Sequence, residues 1–188
     1  MIVGIDEAGR GPLAGSVVVC ALALRNRFPY PVKDSKALSV KKREFVFSWI
    51  LKNCDYAVSK AGKEEIEELN ILGATYLAAE RAIIKLINKD SKFKSADFII
   101  DGSSFKTKLD IKHRSIKKAD EKIAQVACAS VVAKVTRDYL MQVAGFLYPQ
   151  WNFPKHKGYP TREHYSLIDK YKLSPLHRRS FLKNINFL

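Results

Sequence analysis

The sequence has few cysteines and no long apolar run, and each shortage excludes a class of protein. Its three cysteines, Cys20, Cys54 and Cys128, form no Cys-x-x-Cys pair. Because their number is odd and their surroundings are apolar, we expect buried, reduced thiols and neither a disulfide framework nor a thiolate metal site. The longest apolar stretch, residues 17–24, is far too short to span a bilayer. No secretory leader is evident, so the sequence predicts a cytoplasmic protein without a membrane partner.

Acidic residues are also scarce, because 19 Asp and Glu stand against 33 Lys and Arg, for a net charge of +14. Four of the glutamates lie within residues 64–68, which leaves long stretches elsewhere almost purely basic. A positive field of this size attracts polyanions, through counterion release where the partner is nucleic acid. Basic charge can also serve solubility or heat stability. Its uneven distribution nevertheless favours a single face that binds nucleic acid.

The 188 residues, 47% of them hydrophobic, suit a single domain with a real core and a small C-terminal appendage. Apolar and alternating runs predict strands at residues 2–5, 16–24, 56–59 and 98–101. A tight turn between the first two strands would make them an antiparallel pair. Helical spacing predicts helices at residues 40–52, 63–69, 71–87, 124–144 and 162–171. We expect Ser39 and Asn70 to cap two of these helices.

Two adjacent carboxylates, Asp6 and Glu7, come directly after the first predicted strand, and a loop with Arg10 between two glycines follows. Neighbouring residues of a strand point to opposite faces, so both acids can serve one site only if the backbone turns at Glu7. The glycines allow close approach of backbone to a ligand, and Arg10 offers a planar donor fork for phosphate. This pattern indicates half of a site for metal-assisted phosphodiester chemistry, or else an acid that simply begins a turn.

A third acid, Asp101, follows the apolar strand at residues 98–100 and is itself followed by Gly102. The arrangement repeats that of the first strand. Functional groups of open α/β sheets lie beyond the carboxyl ends of parallel strands, so adjacent parallel strands would bring Asp6 and Asp101 together. The alternative for an Asp-Gly pair is an Asx-turn.

Asp120 is one of the few acids in a strongly basic stretch, residues 104–122. A surface ion pair explains its presence weakly, because such pairs contribute little stability. Capping of the helix that follows would be a sufficient structural reason. A metal ligand is the third interpretation.

Two loops are further candidates for contact with nucleic acid. Residues 34–36 read DSK, which alone indicates only a solvated turn. Tyr159 lies among cations in the predicted loop at residues 155–161, a composition typical of surfaces where a ring stacks on a base or sugar. A packed tyrosine in a solvated loop explains it equally well. None of the histidines has zinc spacing, so surface or phosphate-contact positions are expected for His113, His156, His164 and His177.

Several ordered strings of this chain resemble the signatures of the ribonuclease HII family, the type 2 ribonucleases H. Residues 6–15 read DEAGRGPLAG, residues 118–120 read KAD, and residues 129–138 read ASVVAKVTRD. Ser16 departs from the proline that the family often has there, outside the expected site. The resemblance implies an α/β, ribonuclease H-like fold with a mixed central β-sheet flanked by helices and a helical C-terminal segment. Residues 1–145 would form the catalytic domain, with the basic segment 146–188 packed on it as one structural unit.

The resemblance also implies the site and the reaction. The catalytic, metal-binding acids would be Asp6, Glu7, Asp101 and Asp120. The substrate-binding residues would be Gly9, Arg10, Gly11, Ser35, Lys36 and Tyr159. Crowded carboxylates raise one another's pKa, so such a cluster makes sense mainly with cations, and hard oxygen ligands suit Mg²⁺ or Mn²⁺. The enzyme would hydrolyse RNA in RNA–DNA hybrids and nick duplex DNA on the 5′ side of single ribonucleotides. Two-metal-ion catalysis would leave 3′-hydroxyl and 5′-phosphate ends, and we expect a monomer.

Two other classes stay open on the sequence alone. A non-catalytic basic binder accounts for the charge but not for paired acids at strand ends. A different two-metal nuclease or transposase-type enzyme on the same fold accounts for the acids but not for the Gly-Arg-Gly loop. The related ribonuclease HIII carries an extra N-terminal binding domain, whereas this chain begins directly at the expected catalytic strand, which favours type HII.

Overall fold

The computed structural model describes residues 1–30 and 39–182. The strands of this part are β1 Ile2–Ala8, β2 Val17–Leu24, β3 Cys54–Ala61, β4 Asp97–Asp101 and β5 Lys112–Ile116. Its α-helices are α1 Val40–Asn53, α2 Lys63–Lys89, α3 Ala124–Leu147, α4 Phe153–His156 and α5 Arg162–Tyr171. The strands form one sheet in the order β3-β2-β1-β4-β5, so β1 lies at its centre.

The sheet is mixed, as expected. β1 is antiparallel to β2 and parallel to β4, and β4 is parallel to β5. β1 extends beyond its predicted end because it pairs with β2 as far as the Ala8–Val18 partners. The basic stretch contains β5, which the sequence pattern did not predict. Its residues are mostly exposed and polar, so only the backbone pairing with β4 reveals it as a strand.

Small residues let helices cover both faces of the sheet closely. On one face, alanines of α2 pack against Val3 and Ile5 of β1. On the other face, the small-residue stretch of α3 is buried, as predicted. A Cβ on Gly4 would lie 2.3 Å from the main chain of Gln125, so the α3 backbone rests directly on β1. This contact fixes the distance between α3 and β1, and with it the position of α3 side chains near the end of β1.

The predicted cap at Asn70 is confirmed, and it stands at a kink that divides α2 into two helices, as the sequence predicts. Asn70 has non-helical φ and ψ of 58° and 173° within α2. Its Oδ1 accepts hydrogen bonds from the N–H groups of Leu72 at 2.9 Å and Gly73 at 3.2 Å. The caps at Ser39 and Thr161 likewise use side-chain oxygens, at the starts of α1 and α5.

The C-terminal residues pack on the rest of the domain. Trp151 and Phe153 share an apolar cluster with Ala14 and Met141, which supports one structural unit. The predicted loop at residues 155–161 is partly wrong, because α4 ends at His156. The surface positions expected for three histidines are also wrong, since they are buried: His156, His164 and His177.

Two expectations about composition agree with the structure. The three cysteines are free and buried, as their apolar surroundings indicated. Within the described part of the chain, no helix combines the length and the apolar character that a membrane span needs.

Candidate active site

The pairing of β1 with β4 brings two of the predicted acids to one edge of the sheet. Ile5 pairs with Ile100, and the next residues along these parallel strands are Asp6 and Asp101. The two carboxylates are close enough that the charge of Asp101 raises the pKa of Asp6. Asp6 and Asp101 therefore lie close together at the carboxyl ends of adjacent parallel strands, as predicted.

Asp6 is the most buried of these acids, with 1% of its surface exposed. Its Oδ1 accepts a hydrogen bond of 2.8 Å from the Glu7 N–H, whereas its Oδ2 is buried without a hydrogen-bond partner among the described residues. Burial, together with the charges of Glu7 and Asp101, raises the pKa of Asp6 well above its usual value, and the Ser130 hydroxyl opposes this. A cation bound to Oδ2 would offset both the cost of burying this carboxylate and its repulsion by the neighbouring acids. Asp6 is therefore suited to bind a metal ion.

Glu7 is the last residue but one of β1, so the backbone does not turn at Glu7 itself, and the condition under which both acids directly share one site is not met. Its Cβ therefore projects from the opposite face to that of Asp6. Its carboxylate lies 3.4 Å from Nη1 of the half-exposed Arg10, an ion pair worth little in solvent. Glu7 also lines two neighbouring cavities, of about 280 Å³ and about 190 Å³. It thus stands at the boundary between the two faces of the sheet, where it can serve either side.

Asp120 is tied to the end of β4 through a short 3-10 turn, Ala119–Glu121. The Ala119 N–H donates a 2.8 Å hydrogen bond to Oδ1 of Asp101. Asp120 itself is 5% exposed. The sequence interpretation that Asp120 caps α3 is wrong, because Ile123 is the cap residue and makes no side-chain capping bond. Capping therefore does not explain why this acid is buried.

The four acids share this edge of the sheet but do not form a closed ligand shell. Among the described residues, no group of three or more His, Cys, Asp and Glu side chains is arranged to hold a metal ion. Glu7 faces Arg10, and one oxygen of Asp101 faces the Ala119 N–H. Side-chain rotations on a fixed backbone would have to close the cluster.

Two buried arginines, Arg137 and Arg178, lie beneath the segment that contains the Gly-Arg-Gly loop and donate hydrogen bonds to its carbonyls. Arg178 is 0% exposed and donates from Nη2 to the Gly9 carbonyl at 2.6 Å and from Nη1 to the Arg10 carbonyl at 3.0 Å. Arg137 is 1% exposed and donates to the Ser16 carbonyl at 3.2 Å. The burial of these two arginines cannot be predicted from the sequence, because most charged side chains of a basic protein lie at its surface.

The two carbonyl contacts of Arg178 determine where the loop's N–H groups point. In a trans peptide, the C=O of one residue and the N–H of the next point in opposite directions. The carbonyls of Gly9 and Arg10 face the buried guanidinium. The N–H groups of Arg10 and Gly11 therefore face away from it, and both of these residues are exposed. The loop presents two adjacent main-chain donors at the protein surface.

Tyr159 stands beside this loop. Gly158, the residue before Tyr159, accepts a 2.8 Å hydrogen bond at its carbonyl from the N–H of Leu13. The Tyr159 ring lies under two cations, with Lys134 Nζ 5.6 Å and Arg137 Cζ 5.5 Å from its centroid. Tyr159 also lines the 280 Å³ cavity together with Glu7 and Gly9. The structure thus brings together all the predicted substrate residues except Ser35 and Lys36, which lie outside the described residues.

The three buried histidines form a hydrogen-bonded cluster behind Tyr159. Nε2 of His164 lies 3.0 Å from Nε2 of His177, and the other nitrogen of His164 lies 2.9 Å from the Tyr159 carbonyl. The ring of His156 stacks on that of His164, with centroids 4.0 Å apart. Burial lowers the pKa of His164 to about 4 and that of His177 to about 4. At neutral pH the cluster is therefore uncharged.

The mixed sheet with acids at the carboxyl ends of β1 and β4 defines an α/β protein of the ribonuclease H-like fold. Residues 3–184 match the family described as Ribonuclease HII. A Ribonuclease HII of Clostridioides difficile is 44% identical over 97% of this chain and 70% of its own length. One of Dechloromonas aromatica is 44% identical over 96% of this chain and 90% of its own length. The chain belongs to the ribonuclease HII family, and is thus a metal-dependent endonuclease of the ribonuclease H class.

Solved structures share the fold. The RNase HII in the PCNA:RNase HII complex from Archaeoglobus fulgidus superposes with a TM-score of 0.76 at 23% identity, covering 100% of this chain and 96% of that chain. Ribonuclease H2 from Pyrococcus horikoshii OT3 gives a TM-score of 0.70 at 24% identity, with coverage of 95% and 92%. Bst-RNase HIII in complex with Mn²⁺ gives 0.64 at 21% identity, covering 78% of this chain and 54% of that chain.

The two glycines of the loop should differ in what they contribute. Gly9 has φ of +102°, and a Cβ there would lie 2.2 Å from Nε of Arg137, whereas a Cβ on Gly11 meets nothing within 4 Å. We expect Gly9→Ala to lower the free energy of unfolding by about 2–4 kcal/mol. Gly11→Ala should change it by less than about 0.5 kcal/mol while lowering nuclease activity. Urea unfolding and hybrid cleavage measure the two effects, and equal stability losses would contradict this assignment.

The histidine cluster should make stability depend on pH. The native pKa values of His164 and His177, about 4, lie below the ordinary value of 6.5, so the unfolded chain binds more protons between these limits. Stability should therefore fall as the pH is lowered from 6.5 towards 4, by at most about 2 kcal/mol per histidine at pH 5. Thermal unfolding across this range measures it, with the exposed His113→Gln as control. An unchanged slope in a variant lacking both buried histidines would contradict the account.

Proposed function

We propose that this ribonuclease HII nicks duplex DNA on the 5′ side of a single embedded ribonucleotide, in addition to hydrolysing the RNA strand of RNA–DNA hybrids. The products would carry 3′-hydroxyl and 5′-phosphate ends. One observation carries the proposal. Arg178 holds the carbonyls of Gly9 and Arg10 inward, so two main-chain donors face outward beside Tyr159 and next to the acids.

These elements support recognition of one ribose. A 2′-hydroxyl distinguishes RNA from DNA, and it can accept a hydrogen bond from the N–H of Arg10 or Gly11. Tyr159 has 38% of its surface exposed, which leaves its ring able to pack on the adjoining sugar. A ring needs no particular base, so the pair of elements would read the sugar and not the sequence. Lys134 and Arg43 add positive charge to the same cavity, suited to the phosphates.

We propose that Asp6, Glu7, Asp101 and Asp120 hold the divalent metal ions, either Mg²⁺ or Mn²⁺. Carboxylate oxygens are the donors that these hard cations prefer. The buried, unpartnered Oδ2 of Asp6 fits that role on the evidence of this chain alone. The Bst-RNase HIII structure of the same fold is a complex with Mn²⁺. Two such ions, when bound, would activate water and stabilise the leaving oxygen.

The chain's own residues would supply position and electrostatics. Arg10 can leave its weak pair with Glu7 when a phosphate approaches, which would free the Glu7 carboxylate for a cation. Asp101 would keep its bond to the Ala119 N–H and so hold the turn that carries Asp120. Ser35 and Lys36 stay predicted phosphate contacts. Because the elements discussed come from one chain, we also propose that the protein works as a monomer, and we assign it to the cytoplasm.

A duplex with one embedded ribonucleotide tests the proposal directly. With Mg²⁺ or Mn²⁺, the protein should nick it immediately 5′ of that residue, while an all-DNA duplex of the same sequence survives. Denaturing gels with either strand labelled give the position and the end chemistry. Equal cutting of both duplexes would indicate a general two-metal nuclease, and binding without metal-dependent cutting would indicate a non-catalytic binder. Either result would exclude the proposed specificity.

Removing one acid should abolish cleavage and leave binding largely intact. Asp6→Asn and Asp101→Asn each take away a negative charge that an ion would need, so we expect the nicking rate to fall at least about a thousandfold. Asp110→Asn is the matched control, because it removes the same charge from an exposed acid outside the proposed site. Single-turnover nicking and fluorescence anisotropy of bound duplex separate catalysis from binding. A rate for Asp101→Asn equal to that of the control would remove Asp101 from the site.

A further inference from the structure

We propose that two adjacent residues, His177 and Arg178, are positioning residues that hold Tyr159 and the Gly9–Arg10–Gly11 loop in fixed relation to each other. The two recognition elements come from distant parts of the sequence, and their spacing must match one ribose and its neighbour. The proposal rests on the function assigned above to these elements. It adds an account of what sets their separation.

Arg178 provides the link to the loop. Besides the carbonyls of Gly9 and Arg10, its guanidinium contacts the Gly15 carbonyl from Nε at 2.9 Å and from Nη2 at 2.7 Å. One side chain thus joins the Gly9–Arg10–Gly11 loop to Gly15, two residues before the start of β2. The main chain adds an antiparallel β-bridge between His177 and Ala14. Its two hydrogen bonds run from the Arg178 N–H to the Leu13 carbonyl at 2.8 Å and from the Gly15 N–H to the Leu176 carbonyl at 3.0 Å.

His177 provides the link to Tyr159, and the hydrogen bonds assign each tautomer. The Ser174 N–H lies 2.8 Å from Nδ1 of His177, so that nitrogen accepts and the proton of His177 is on Nε2. His177 therefore donates to Nε2 of His164. The proton of His164 must then be on Nδ1, from which it donates to the Tyr159 carbonyl at 2.9 Å. Each link in this chain has one donor and one acceptor.

The two links leave from neighbouring positions of the backbone, so they cannot shift independently. Consecutive Cα atoms are about 3.8 Å apart, and both side chains are almost completely buried. A displacement of Tyr159 relative to the loop would break either the histidine chain or the arginine contacts. A purely structural role would instead require only that these buried polar groups be satisfied, whichever partner satisfies them.

Two substitutions of one histidine separate these interpretations. In His164→Asn, the amide nitrogen takes roughly the place of Nδ1 and keeps the donor to Tyr159. In His164→Gln, the longer amide takes roughly the place of Nε2, so it keeps contact with His177 and loses the donor. Both variants lose a ring and one hydrogen bond of the chain, so their thermal stabilities should be similar.

The measured quantity is the ratio of the nicking rate on a single-ribonucleotide duplex to that on a continuous RNA–DNA hybrid. Each variant breaks one bond of the chain between His177 and Tyr159, so we expect both to lower the ratio about tenfold or more, since small misplacements are costly in catalysis. The exposed His113→Gln should keep the wild-type ratio within about threefold. Arg178→Lys, which keeps the charge but not the fork, should lower the ratio similarly. A wild-type ratio in either His164 variant, together with a loss of thermal stability, would indicate a purely structural role and overturn the proposal.

Nuclear magnetic resonance provides a readout that needs no activity. Nitrogen shifts of the wild-type protein should report a proton on Nδ1 of His164 and on Nε2 of His177. In both His164 variants, but not in His113→Gln, the amide resonances of Arg10 and Gly11 should move. The opposite tautomers, or unmoved loop amides, would overturn the positioning role even if the wild type nicks as proposed. A wild type that does not nick the single-ribonucleotide duplex would overturn the proposed function, while these resonances still decide the positioning claim.

Discussion

The parallel pairing of β1 with β4 is the constraint from which the rest of the site follows. It sets the ends of two strands side by side, so that Asp6 and Asp101 meet although 94 residues separate them in the sequence. The 3-10 turn bonded to Asp101 then brings Asp120 to the same edge. Burial and the neighbouring negative charges of Glu7 and Asp101 are unfavourable for the ionised Asp6 in the protein alone, as its raised pKa indicates. This unfavourable cluster of acids is confined to one site of an otherwise strongly basic protein.

Around the acids, positive charge has two distinct roles. The exposed Arg10 and the half-buried Lys134, which pairs with Asp138, can meet the phosphates of a nucleic acid. The buried guanidiniums of Arg137 and Arg178 instead bind main-chain carbonyls, and neither donates a hydrogen bond to a carboxylate within the described part of the chain. Burying a charge is costly unless its hydrogen bonds are satisfied, and here each guanidinium contacts three carbonyl groups. Because these hydrogen bonds fix the carbonyls, the N–H donors of the loop are in position before substrate arrives.

Local signals in the sequence were enough for most of the fold. The apolar runs predicted β1 and β4, the small residues of α3 predicted close packing, and Asn70 was identified as a cap from its residue type. β5 could not be found in this way, because its exposed, polar residues have no alternating pattern and only the pairing with β4 makes them a strand. The inward arginines and the histidine cluster were also missed, since burial of a polar side chain depends on partners far away in the chain. The order of the motifs, and not their periodicity, indicated the family.

The central claim is that the four acids at this edge of the sheet close around divalent cations. Crystals of the protein soaked in Mn²⁺ test it most directly, because anomalous scattering locates the ions without reference to activity. The account predicts Mn²⁺ bound between the carboxylates of Asp6, Glu7, Asp101 and Asp120, with Glu7 turned away from Arg10. Mn²⁺ found only at other positions, with Asp101 and Asp120 directed away from Asp6, would contradict it.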